Sequence, residues 1–194
     1  MKKLIYILLV TGIVFASCQK KQKRNEDIIM VKPEKTEMAT HVKQLQKSDV
    51  TLKINHRGKA YKTRVVRVPD ESLDMIPDAD GNKYMDNKVT VTLTQGDTEV
   101  WHKVFTKQSF ASLVGEEFMQ KSILEGFVFY KEVPQGFVYA VSVAYPDSDL
   151  FVPIEVTIAP DGGVRMVKSD LIDSDAFDEL EKTQNQLNEN PESV

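Results

Sequence analysis

Val89, Val91 and Leu93 alternate with Thr90, Thr92 and Thr94, and the tetrapeptide Gln95-Gly96-Asp97-Thr98 follows at once. Side chains two apart share one face of a strand, whereas a helix would scatter this pattern around its circumference. The segment is therefore a half-buried strand, and the glycine-bearing turn sends the chain back along residues 99–105 as a hairpin. Three further segments repeat the design. Val50, Leu52 and Ile54 alternate before His56-Arg57-Gly58-Lys59 and residues 60–68, and Pro134-Gln135-Gly136 joins 127–133 to 137–145. Pro160-Asp161-Gly162-Gly163 joins 151–158 to 164–168.

Between the second and third hairpins, Phe110, Leu113, Val114 and Phe118 recur at helical spacing, with Ser109 placed to cap the first turn. Gly115 interrupts the pattern at about 1 kcal/mol relative to alanine, so the segment can break into two turns, and Gly126 is a stop. Residues 137–145 carry large side chains on one face and the small Ala140, Ser142 and Ala144 on the other. Small residues admit a close neighbour, and the central helix is the expected occupant. These features predict a mainly β, α+β fold: an antiparallel sheet of about eight strands in consecutive hairpins, as a sandwich or split barrel, with one central helix.

The ends carry different signals. Met1-Lys2-Lys3, an apolar run over residues 4–15 and Ala16-Ser17-Cys18 have the three zones of an export signal. A bilayer-spanning helix needs roughly 20 apolar residues, more than this run provides. Phe15-Ala16-Ser17-Cys18 resembles a bacterial lipobox, with Phe15 where leucine is commoner. That resemblance implies lipidation of Cys18, the only cysteine, after removal of residues 1–17. No thiol then remains for a disulfide or a thiolate metal site.

Residues 18–48 form the expected lipidated tether, with Lys20, Lys21, Lys23 and Arg24 beside the membrane and an end-to-end reach of roughly 30 Å. Met38, Val42 and Leu45 have the spacing of a short docked helix. The folded domain is expected over 49–172, and 173–194 as a short acidic helix, with Phe177 and Leu180 on one side, running into a disordered tail.

Charge follows the same division. The whole chain sums to −4. Without residues 1–17 it holds 23 basic against 29 acidic side chains, and residues 170–194 hold eight of those acids against Lys182 alone. The remainder is nearly neutral, which argues against nucleic acid as a partner.

Asp86-Asn87, Phe105-Thr106-Lys107 with Phe110, Ser122-Ile123-Leu124-Glu125-Gly126 and Tyr145-Pro146-Asp147-Ser148-Asp149 resemble a family of envelope lipoproteins from Bacteroidales. That family is known only as a domain of unknown function, and the likeness spans roughly residues 50–170. It implies an outer-membrane lipoprotein, lipid-anchored and facing the periplasm, and it implies no activity.

Few residues are arranged for chemistry. Asp78-Ala79-Asp80-Gly81-Asn82 with Asp86 looks like a calcium loop, but an EF-hand would want glycine at Lys83 and a bidentate acid at Val89. The pattern reads as a solvated turn. Asp147 and Asp149 could share a proton or metal, yet acids two apart in a loop more often serve the turn. His41, His56 and His102 have no metal-ligand spacing. Trp101 with Phe105, and Phe127 with Phe129, could form a platform for a sugar, although aromatic residues in strands are usually core.

Neither a Gly-x-Ser-x-Gly nucleophile motif nor a phosphate loop occurs. No catalytic residue, metal ligand or cofactor is therefore assigned. The expected function is a non-enzymatic, membrane-anchored binding or interaction module, with an envelope protein or glycan as partner. The alternative is a hydrolase or metal-dependent enzyme using the acids around Asp78 or Asp147.

Overall fold

The computed structural model describes residues 41–78, 80–170 and 174–189. All of them fall in the second of two compact units, residues 37–194. Cys18, Met38, most of the tether and residues 190–194 lie outside the described residues.

The fold is a β-sandwich of two four-stranded antiparallel sheets, not a closed barrel. The first sheet contains β2 (Ser48–His56), β3 (Lys59–Pro69), β6 (Asn87–Gln95) and β7 (Thr98–Thr106), in that order across the sheet. The second contains β8 (Ile123–Val133), β9 (Gly136–Ala144), β10 (Phe151–Ile158) and β11 (Val164–Lys168), also in sequence order. These are the eight strands and four hairpins that alternation and turn chemistry predict.

Val89, Val91 and Leu93 of β6 are fully buried against Phe137, Tyr139 and Val141 of β9 and Ile154, Val156 and Ile158 of β10. The core thus lies between the sheets. Thr63 and Tyr139 share a buried hydrogen bond of 2.7 Å between β3 and β9, which satisfies both hydroxyls. Phe105 stacks on Phe110 and meets Phe127 at 5.0 Å. The Phe105 and Phe127 rings belong to the core, and Trp101 and Phe129 pack against it, partly buried.

Three expectations need correction. The segment around Val42 and Leu45 is not a docked helix. Val42–Lys43 forms β1, pairing in parallel with β5 (Lys83–Tyr84), which pairs antiparallel with β4 (Ile76–Pro77). Leu45 then packs on Ile76, Tyr84 and Ile123. The end of the tether is thus drawn into the fold by backbone pairing that apolar spacing does not reveal.

The central helix is also discontinuous. A 3-10 turn (Lys107–Phe110), α1 (Ala111–Val114) and α2 (Glu116–Met119) replace it, and Gly115 between the two helices has φ 90°, outside the helical range. Thr106 precedes the turn, and its N–H donates to Ser109 Oγ at 3.2 Å. Ser109 therefore reaches back to Thr106 and does not itself stand at the cap position.

Nor do these turns cover the small face of β9. Phe110 and Val114 enter the core on its large face. The small face is covered by α3 (Ser174–Glu189), whose Phe177 packs on Ala140 and Val128, with Leu180 and Tyr130 alongside. A Cβ on Gly126 would overlap the Phe177 ring, so only glycine in β8 lets the ring lie this close. Gln184, one helical turn beyond Leu180, donates from Nε2 to the Phe129 carbonyl and accepts from the Phe129 N–H at 3.2 Å. Its amide therefore satisfies the outer edge of β8 as a neighbouring strand would. Covered on both faces, β9 is buried along its whole length.

Candidate binding site

Side chains that are scattered in sequence meet at one end of the sandwich. Buried Asp86 accepts through Oδ1 from the N–H groups of Asn87 and Leu124, both at 2.8 Å, and its Oδ2 lies 3.4 Å from Lys107 Nζ. Asn87 Nδ2 donates to the Leu124 carbonyl at 3.0 Å, and Lys107 Nζ donates to the Ser122 carbonyl. The group ties β6 of one sheet to β8 of the other. Burial raises the Asp86 carboxyl above the usual carboxylate range, while the two backbone donors and Lys107 oppose that shift.

The two acidic loops converge on a lysine. Lys43 Nζ, on β1, donates to Asp78 Oδ2 at 3.2 Å and to Asp147 Oδ2 at 2.9 Å, while Tyr84 of β5 donates its hydroxyl to Asp147 Oδ1. Asp78 Oδ1 accepts from the N–H groups of Asp80 and Asn82, and its Oδ2 also accepts from Asn82 Nδ2. Both Asp78 oxygens are thus spent on the turn and on Lys43, as the turn reading of the calcium-like loop expects. Among the described residues no three acidic, histidine or cysteine side chains are grouped to hold a metal ion.

Asp147 sits at φ 56°, in the left-handed region that aspartate tolerates better than most residues. The Tyr84 hydroxyl, then Lys43, holds its carboxyl below the usual range, and Asp147 in turn raises the Lys43 ammonium. Burial, helped by Asp147, pushes the Tyr84 hydroxyl up to about 12. The turn itself is closed by Ser148, whose Oγ donates to the Tyr145 carbonyl at 3.0 Å and accepts from Leu150 N–H.

Beyond Asp147 the same loop enters a cleft. Asp149 and Ser148 line it together with Glu125 and Ser142 of the second sheet, Arg67 of β3, and Phe177, Asp178 and Glu181 of α3. Its volume is about 250 Å³, and Leu45 and Phe151 add apolar surface. Arg67 Nη1 donates to the Glu125 carbonyl and pairs with Glu181 at 3.2 Å. Nη1 is therefore engaged, while the buried Nε has no hydrogen-bond partner. Desolvation raises the Glu125 carboxyl; Arg67 opposes that shift, and the charges of Glu181, Asp178 and Asp147 add to it.

The histidines stay apart. His56 is buried with Nδ1 2.6 Å from Glu132, His102 pairs with Glu99 at the surface, and His41 is exposed.

A family model described as a domain of unknown function (DUF4738) matches residues 27–166. The chain belongs to the DUF4738 family. No curated protein matches it. The DUF4738 match takes in the Asp86 tie, the lysine-centred clamp, and Glu125, Ser142 and Asp149 of the cleft, but it ends before α3. Phe177, Asp178 and Glu181 are therefore supplied by a segment beyond the matched domain.

Sequence reasoning singled out Asp78 and Asp147 without seeing that they share one lysine. It missed Lys43, Tyr84 and Arg67, and it named Glu125 only as part of a family-like motif, without a role in a site. The signal available for Glu125 was its place beside Gly126 in a strand that is otherwise apolar from Ile123 to Phe129.

Proposed function

We propose that this DUF4738 protein is a cell-envelope lipoprotein, anchored through Cys18 in the outer membrane and facing the periplasm, whose sandwich is a non-enzymatic binding module. The Bacteroidales envelope lipoproteins that its motifs resemble support the address. The binding half rests on the fate of the two acidic loops. Asp78 and Asp147 hold Lys43 and Tyr84 in place, so the carboxylates with the best claim to acid–base work serve as internal anchors. Among the described residues, Glu125, Asp149 and Asp178 have carboxylates without a hydrogen bond or salt bridge and line the cleft beside α3, where an envelope protein or glycan would be received.

Lipidation is tested by metabolic labelling with a fatty acid. Wild-type protein is expected to incorporate label and fractionate with the outer membrane. Cys18→Ala is expected to lose the label and accumulate as precursor or leave the membrane, because no other thiol exists to accept the lipid. Equal incorporation by both proteins overturns the anchor.

A further inference from the structure

The cleft beside α3 is built for a charge it does not contain. Four carboxylates line it, from Glu125, Asp149, Asp178 and Glu181, against the single guanidinium of Arg67. Arg67 Nη1 is shared between Glu181 and a backbone carbonyl, and its buried Nε has no hydrogen-bond partner. The carboxylates of Glu125, Asp149 and Asp178 face the cleft with no hydrogen bond or salt bridge among the described residues, although the Arg67 charge acts on Glu125. Carboxylates gathered in this way repel one another unless a cation joins them. The second observation is Ser142. It is only 3% exposed, it lines the same cleft, and its Oγ has no hydrogen-bond partner in the protein. A buried hydroxyl without a partner is unfavourable, and a ligand donor or acceptor would satisfy it.

The shape of the lining narrows the class of cation. A hard metal ion wants six or more oxygens at short range, and these acids are not grouped closely enough to hold one. An ammonium group has three hydrogen-bond donors to distribute among separated acceptors. The apolar parts of the lining, Leu45, Phe151 and Phe177, suit methylenes carried behind that charge. We propose that this cleft binds a primary alkylammonium group, with Glu125 and Asp149 taking the charge, Ser142 Oγ accepting a further hydrogen bond and Phe177 bordering the aliphatic stem. This inference rests on the binding-module reading and names the chemistry of its ligand. The ammonium can come from a lysine side chain of a protein or from a free diamine.

Isothermal titration of the purified full chain distinguishes the sources. The probes are cadaverine, a short end-blocked peptide with one lysine, and the same peptide with that lysine acetylated. Saturable binding of cadaverine or of the lysine peptide is expected, the stronger of the two identifying the source. Binding should weaken at least about tenfold, or roughly 1.4 kcal/mol, in Glu125→Gln and in Asp149→Asn. The exposed Asp149 variant guards against a folding defect at Glu125. The acetylated peptide is expected not to bind, since it keeps the stem and loses the charge.

Binding of the acetylated peptide as tight as that of the lysine peptide overturns the proposal, as does the absence of saturable binding of both amines up to about 10 mM. The broader reading has its own readout, a photoreactive residue at position 148 in intact cells. Envelope crosslinks that persist when the amines fail to bind remove the alkylammonium and keep the binding module. Absence of crosslinks removes the module itself.

Discussion

Asp86 shows how much one side chain can hold. Its carboxylate satisfies two buried N–H groups from opposite sheets and faces Lys107. Asp86→Ala removes the oxygen that accepts from both N–H groups and leaves a largely buried lysine without its counter-charge, so a loss of about 3–5 kcal/mol is expected. Asp86→Asn keeps an acceptor and should cost less. The two variants also differ with pH. Because burial raises the folded pKa of Asp86, its ionisation costs the folded state more than the unfolded chain. Its contribution is therefore most favourable below the unfolded value of about 3.9 and declines as pH rises through the folded value. Asp86→Asn should lose that part of the pH slope. Urea denaturation at several pH values measures both effects, and an unchanged slope in Asp86→Asn would show that the carboxyl is not desolvated. Nothing in the dipeptide Asp86-Asn87 announces this role, since its partner Leu124 lies 37 to 38 residues away across the sandwich.

At the scale of elements, α3 is held by few contacts. Phe177, Leu180 and Gln184 follow one another at helical spacing along the side that meets β8 and β9, and Glu181 adds the pair with Arg67. Phe177→Ala removes the main apolar anchor, and the burial of one such ring is worth about 1.5–3 kcal/mol. Gly126→Ala attacks the same contact from the strand side, since the new Cβ occupies the place of the ring and also comes within 2.8 Å of Ser142 Oγ. Both variants are expected to release α3 and leave the sandwich folded. Limited proteolysis should then cut within 174–189 while 48–168 stays resistant. The double variant should lose little more than either single one, because both remove one contact. Equal protection of α3 in wild type and Phe177→Ala would contradict this docking.

The apolar side of α3 was legible in Phe177 and Leu180, and so was the need for a cover over Ala140, Ser142 and Ala144. Their match was not. A helix central in sequence competed for the same face, and only tertiary packing decides between two candidates that both have helical spacing.

For the molecule as a whole, the hairpins were legible because each combines local alternation with local turn chemistry, as in 87–106 and 151–168. The two-residue strands β1, β4 and β5 are too short for any period to appear, which hid Lys43 and Tyr84 and with them the clamp. The site was hidden for a related reason. Arg67, Glu125, Ser142, Asp149 and Glu181 come from five separate segments and have no common spacing.

The central claim is that the cleft beside α3 receives an envelope component through its acids. A photoreactive residue at position 148, on the rim of that cleft, tests it in cells that carry the lipid-anchored protein. The account predicts a discrete crosslinked product in the membrane fraction, lost when Glu125→Gln is introduced on the same chain and suppressed by excess cadaverine. A product of equal yield with Glu125→Gln and with cadaverine present, or no product at all, would contradict it.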